Sequence, residues 1–336
     1  LIIRFSSIGD IVLTSPVIRC LKNKYPHSEI HFLLNEPFIE LLQFNPFITK
    51  IWSWNNKEHL RNFRNSLKKE NFNLVIDLHN NFRSKILSIG LSSELYRLKH
   101  FRWKRFLYVY YNKSHFTSEH IVERYLKTLF PLNINYDGLG LDFFISQSIC
   151  NIPHLPQQYV AWVVGGSFFT KQVPAHKIVE GLALLSYPVV LLGGIKDVSI
   201  AVEIMNKLNN KNIVNCVGKL SLQESAYIIE KSICVISTDT GLQHIAAALK
   251  KKIFSIWGST TPELQMGPFL PNQTLDIEKP EHFEVSLNCR PCHKHGYAQC
   301  PKKHFLCMEN QDMSKIIQQV KEYCKHKFKD SSNYPP

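Results

Sequence analysis

No run of apolar residues in this chain approaches the roughly 18 that a membrane-spanning helix needs. The opening also lacks the basic start, apolar stretch and cleavage site of a secretory signal peptide. It begins on a strand-like Leu1-Ile2-Ile3-Arg4-Phe5, so an initiator Met is expected to precede it. No Gly-x-Gly-x-x-Gly follows any apparent strand, which counts against a dinucleotide oxidoreductase. No Asp-x-Asp occurs anywhere. Acidic residues are scarce: 27 Asp and Glu against 40 Lys and Arg leave a formal net charge of +13. That surplus favours an anionic partner such as a nucleotide, a phospholipid surface, an acidic glycan or nucleic acid. Part of it is mere composition, since Lys, Asn and Ile are abundant throughout. Nine cysteines without an export signal are expected to be reduced thiols in the cytosol.

What is present is length and alternation. At 336 residues the chain exceeds one ordinary core and suits two domains of about 150 residues each. In the first half, strands are expected at 1–5, 29–34, 48–54 and 74–78, and helices at 10–24, 60–70, after Ser84 and at 118–130. Pro16 either kinks the first helix or marks its first turn after Thr14 or Ser15. Over 145–158 the pattern lapses into polar residues with Pro153 and Pro156, which places a boundary there. Strands at 159–164, 189–192, 213–217, 233–236 and 253–257 then alternate with helices. The expected domains are 1–150, 151–312 and a C-terminal helix and tail over 313–336. Alternation of this kind predicts parallel sheets covered on both faces, with ligands at the C-terminal ends of the strands.

One strand-to-helix turn stands out, Ser237-Thr238-Asp239-Thr240-Gly241-Leu242-Gln243-His244. Leu242, Ile245, Ala246 and Leu249 fall on one helical face, so a helix starts near Gly241. Free amides and the positive dipole end at such a turn suit a phosphate. A helix capped by Asp239 or Thr240, with no ligand, explains the same residues. In the first half, Ser6-Ser7-Ile8-Gly9-Asp10 is a tight loop with a carboxylate at a helix start. Asp10 there serves as an N-terminal helix residue or, facing an interdomain cleft, as a general base.

Arg4 through Pro16 strongly resembles the N-terminal motif of bacterial lipopolysaccharide heptosyltransferases, glycosyltransferase family 9. Asp239 through Leu249, with Gly258-Ser259-Thr260-Thr261-Pro262 behind it, resembles that family's donor-site signature. Gly165-Gly166-Ser167 with Lys171-Gln172-Val173-Pro174 looks like its glycine/serine loop and lysine. Asp77-Leu78-His79 through Arg83-Ser84 resembles its Asp-x-Gln segment, with His79 in place of the usual Gln. The match runs in order from residue 1 to about 270.

The resemblance implies a GT-B fold, two Rossmann-like parallel-sheet domains facing across a cleft, acceptor on the first and nucleotide sugar on the second. It implies inverting transfer of heptose from ADP-heptose to the lipopolysaccharide inner core, on lipid A–Kdo or a core heptose. Asp10 would then be the base, and Lys171 with the amides at Thr240 and Gly241 would stabilise the departing ADP. Gly166, Ser167, Asp239 and His244 join the donor side, and Ser7, Gly9, His79 and Arg83 the acceptor side. No cofactor is required, which agrees with the missing Asp-x-Asp. The bland readings are a solvated Lys171, a His244 satisfying a core contact, and an exposed basic Arg83. Asp197 is a further candidate for ribose or base. A related GT-B transferase for another nucleotide sugar fits the same phosphate machinery.

Two stretches stand outside that account. Residues 97–113 interleave six Lys/Arg with Phe101, Trp103, Phe106, Tyr108, Tyr110 and Tyr111. They suit an anionic inner-membrane surface, single-stranded nucleic acid, or an ordinary basic helix with a buried aromatic face. The first would make the enzyme cytoplasmic and peripheral to the inner membrane. No nucleic acid is expected, for no familiar binding motif appears and the charge is spread over both halves. The segment 289–307 carries Cys289, Cys292, Cys300 and Cys307, four thiols that could hold a structural zinc or nothing.

Overall fold

The computed structural model describes residues 1–55, 59–99, 108–109, 119–149, 152–208, 212–271 and 278–331. The described parts of Leu1–Arg102, Ser118–Ser146 and Phe269–Thr274 form one compact unit. Those of Trp103–Thr117, Gln147–Pro268 and Leu275–Pro336 form a second. Most of the basic aromatic stretch 97–113 lies outside the described residues.

In the first unit the strands are β1 (Ile2–Ile3), β2 (His31–Asn35), β3 (Lys50–Trp54), β4 (Leu74–Asp77) and β5 (Glu94–Arg97). All described pairs are parallel, in the order β3-β2-β1-β4-β5. The helices are α1 (Ile8–Val12), α2 (Ser15–Lys24), α3 (Leu60–Lys68), α4 (Phe82–Ser88) and α5 (Ile121–Leu126). Central β1 is buried on both faces, which is why it reads as an unbroken apolar run. Phe63 and Leu67 of α3, four residues apart, bury one helical stripe beside Leu33, Trp54 and Leu87.

The expected helix 10–24 is two helices. Thr14 turns its hydroxyl back to the Ile11 carbonyl (2.7 Å), and Pro16 sits in the first turn of α2, where its missing N–H costs nothing. Of the expected helix 118–130, α5 is the α-helical part, followed by a 3₁₀ turn over Lys127–Leu132 that contains Pro131. Its inner face, Ile121, Val122, Tyr125, Leu126 and Leu129, is buried as the spacing predicts.

The second unit contains β6 (Val160–Val163), β7 (Val189–Leu192), β8 (Ile213–Asn215), β9 (Cys234–Thr238), β10 (Lys252–Trp257) and β11 (Glu281–Glu284). They run parallel in the order β11-β10-β9-β6-β7-β8. The helices are α6 (Ala175–Leu184), α7 (Val198–Lys207), α8 (Leu222–Lys231), α9 (Gly241–Ala248), α10 (Leu306–Glu309) and α11 (Met313–Ser331). C-terminal α11 buries Ile316, Ile317, Val320 and Cys324 in this unit's core.

At Phe269 the chain returns to the first unit. Phe269 stacks near His120 (ring centroids 4.8 Å) and Tyr136 (5.8 Å). Pro271 lies where a side chain on Gly140 would be, 2.7 Å from an added Cβ, and Gly140 has φ +77°. Only glycine fits there.

Candidate active site

Each sheet reverses its strand order once, between β1 and β4 in the first unit and between β6 and β9 in the second. Such switch points leave a crevice beyond the carboxyl ends of the strands. The polar clusters sit there: Ser6–Asp10 after β1 and Leu78–Asn81 after β4, then Gly165–Lys171 after β6 and Asp239–Gly241 after β9. A separate cavity of about 750 Å³ in the first unit is lined by Leu1, His27, Glu29 and Asn73, at the starts of the strands. It lies away from these loops.

In the first unit Asp10 is the third residue of α1. Its Oδ2 accepts from the Ser7 amide (3.2 Å) and hydroxyl (2.9 Å), and its Oδ1 pairs with the Arg4 guanidinium at 2.8 Å. Burial pushes this carboxyl up, but the Arg4 charge and the Ser7 hydrogen bonds outweigh it and hold the carboxyl below its usual 3.8. Asp10 is thus both the N-terminal helix residue and an ionised carboxylate. Arg4 also donates to the Leu78 carbonyl (2.9 Å), tying the two loops together. Gly9 is buried and Ser7 is exposed.

The loop after β4 is organised by buried Asp77. One of its oxygens accepts from the amides of His79 (3.1 Å) and Asn80 (2.7 Å), the other from the Ser84 hydroxyl (2.8 Å). His79 lies edge-on to Phe5, ring centroids 5.0 Å apart. Arg83 is exposed, with its guanidinium 5.6 Å from the Trp54 ring.

In the second unit the turn at Asp239–Gly241 is tied to the end of β9 by the hydroxyls of Ser237 and Thr240 (3.3 Å). Thr240 is the N-cap of α9 and makes no side-chain cap bond. Asp239 instead accepts from Thr260 (2.9 Å) and pairs with the Lys171 ammonium at 2.6 Å. The solvated-lysine reading does not hold, since the Lys171 side chain is only 11% exposed. Gly166 accepts a bond from Gln172 (3.1 Å), Ser167 is exposed, and His244 is buried in α9. Asp197 is buried, with its oxygens bonded to the Gly194 amide (2.9 Å) and Gln172 (3.0 Å), so its carboxylate holds loops together.

Sequence reasoning missed the pairing of Asp10 with Arg4 and of Asp239 with Thr260. The only signal for either was that both partners lay inside the stretches already singled out.

Among the described residues no group of three or more His, Cys, Asp or Glu side chains is placed to hold a metal ion. The Cys292 thiol donates to the Cys289 carbonyl (2.9 Å), the Cys289 sulfur lies 3.8 Å from His304, and Cys307 is buried in the second unit's core. Burial and the neighbouring thiols push the Cys292 thiol up.

Two parallel α/β units, each with its polar loops at the switch point, make a GT-B fold, and solved structures bear it out. A glycosyl transferase family 9 protein from Veillonella parvula DSM 2008 superposes with a TM-score of 0.73 at 17% identity, over 96% of each chain. E. coli heptosyltransferase WaaC with ADP superposes at 0.65 and 18% identity, over 96% of this chain and 98% of that one. In sequence, lipopolysaccharide heptosyltransferase 3 of Escherichia coli K12 is 28% identical over 284 residues, 75% of this chain and 80% of that protein. Residues 60–295 match Glycosyltransferase family 9 (heptosyltransferase), and the chain belongs to that family. Among the described residues no helix is long and apolar enough to cross a membrane.

Proposed function

We propose that this enzyme transfers heptose from ADP-heptose to the lipopolysaccharide inner core, on lipid A–Kdo or a core heptose, with inversion. Asp10 takes the proton of the acceptor hydroxyl while that oxygen attacks the anomeric carbon. The bond to ADP breaks on the opposite face, and its electron pair stays with the phosphate oxygen. Lys171 and the amides at Thr240 and Gly241 receive that charge, a role fixed dipoles and cations fill well because they need no reorganisation. Gly166, Ser167 and His244 complete the donor side, and Ser7, Gly9, His79 and Arg83 the acceptor side.

The observation that carries the donor reading is Lys171 held against Asp239 at the mouth of an uncapped helix turn. The choice of heptose rests on what the relatives are named for. Calorimetry on the wild type and Lys171→Ala, with ADP-heptose, UDP-GlcNAc and NADH, tests both. Selective binding of ADP-heptose, weakened in the variant, is expected. Tight binding of another nucleotide sugar would keep the fold and discard the heptose. No nucleotide binding at all would sink the transferase reading.

A lipid-linked acceptor places the work at the cytoplasmic face of an anionic inner membrane, which the net charge of +13 supports. Cosedimentation with phosphatidylglycerol vesicles that fades as salt rises is the expected outcome. Binding to these vesicles no better than to neutral ones would end the membrane part. The four cysteines are not proposed as a zinc site.

A further inference from the structure

Lys171 is held at its ammonium by Asp239, and the residue before it is held even more firmly. Thr170 is 1% exposed. Its hydroxyl accepts from the Tyr297 amide (2.7 Å) and the Ser259 hydroxyl (2.9 Å), and donates to the Tyr297 carbonyl (3.1 Å). Two accepted bonds and one donated use the whole capacity of a hydroxyl. The Thr170 amide also donates to the Tyr297 carbonyl (3.2 Å), and its carbonyl accepts from the Ser259 amide (3.1 Å). One buried residue therefore joins the lysine loop, the end of β10 and the cysteine-rich segment, all within the second unit.

The connections close on themselves. Ser259 bonds Thr170, and its neighbour Thr260 bonds Asp239 (2.9 Å). Asp239 pairs with Lys171 (2.6 Å), whose chain neighbour is Thr170. The cysteine-rich segment backs this ring directly. The Cys292 amide donates to the Ser259 carbonyl (2.9 Å), and Arg290 donates to the carbonyls of Gly258 (2.5 Å) and Thr260 (2.9 Å). Gly296, at φ +94°, brings the backbone so near that an added Cβ would lie 3.3 Å from Lys171 Cγ and from Thr170 Oγ1.

We propose that Thr170 is the positioning residue for Lys171, with Tyr297 and Ser259 as its anchors and the cysteine-rich segment as a buttress for the phosphate-binding lysine. The proposal rests on Lys171 as a phosphate ligand. A cation displaced by about 1 Å loses much of its grip on a phosphate, and supporting hydrogen bonds prevent that displacement. Thr170→Val keeps the shape and removes the hydroxyl. Thr170→Ser keeps the hydroxyl and removes the methyl group.

The test is calorimetry with ADP and with adenosine, on wild type, Thr170→Val, Thr170→Ser, Ser259→Ala and Lys171→Ala. Thr170→Val is expected to weaken ADP about tenfold and leave adenosine unchanged, while Thr170→Ser stays within about twofold of wild type for both. Ser259→Ala, a milder change, is expected to weaken ADP about threefold and to keep the test alive if Thr170→Val does not fold. ADP affinity unchanged in Thr170→Val, or in Ser259→Ala where Thr170→Val does not fold, would overturn the proposal. So would equal losses of ADP and adenosine, which mark a merely structural residue. If Lys171→Ala binds ADP as wild type does, the donor reading fails instead, and the role of Thr170 falls with it.

Discussion

Asp10 is held by opposing influences, and its chemistry follows from which one wins. Burial disfavours its charge, while Arg4 at 2.8 Å and the two Ser7 donors favour it more. The form that accepts a proton is the carboxylate, so a lowered value keeps the base ready throughout the neutral range. The acid limb of kcat/KM assigned to Asp10 is therefore expected below its usual 3.8. Arg4→Gln removes the attraction and leaves the burial, which moves that limb upward. A pH profile with the limb unmoved would reject this. The same carboxyl contributes stability above its usual 3.8, and that contribution fades as pH falls through the lowered folded value. Asp10→Asn keeps the shape and cannot take the proton. It is expected to cost kcat roughly 10²–10⁴-fold while ADP affinity, read by calorimetry, stays the same. At this scale the sequence exposed residue types at strand ends, and Asp10, Lys171 and Asp239 were legible. Their partners were not, because Lys171 and Asp239 meet only once β6 and β9 lie side by side.

The loop between β6 and α6 shows how elements hold a site in place. Asp197, at the start of α7, reaches under Gly165 so closely that an added Cβ would sit 2.1 Å from its Oδ2. Gln172 then bridges that carboxylate to the Gly166 carbonyl. Gly165→Ala must push Asp197 aside, and overpacking of this kind costs about 1–3 kcal/mol. A lower Tm together with weaker ADP binding is expected, by thermal unfolding and calorimetry. A Tm equal to wild type would show that the loop yields freely. The long central elements were legible from period and apolar run, to the point that β7 spans the expected residues 189–192. β5 and β11 were not, for they are edge strands of four residues with charged ends, Glu94 to Arg97 and Glu281 to Glu284. With one neighbour each and little buried surface, they lack the apolar run that marks a central strand. The split of α1 from α2 was legible only as a choice, since Pro16 permits either a kink or a fresh start.

For the molecule, two compact units predict unfolding in more than one transition. A ligand bound by one unit stabilises that unit first. ADP at a hundred times its Kd adds about 2.7 kcal/mol to whatever holds it. Scanning calorimetry is expected to show one transition raised by ADP and another left in place. Both rising equally would mean that the units unfold together. The alternation of strands and helices made two such units legible, and their nearly repeated strand orders follow from it. The short return of the chain around Phe269 and Pro271 was not legible, because nothing in a short proline-bearing loop says which core its Phe269 will join. That return limits how such enzymes can be recombined. A chimera that joins the first half of this chain to the second half of a relative would leave Gly140 facing a foreign loop, with Tyr136 and His120 stripped of their aromatic neighbour. Exchange between family members must therefore carry the small strap along with the half it serves, not the half it comes from.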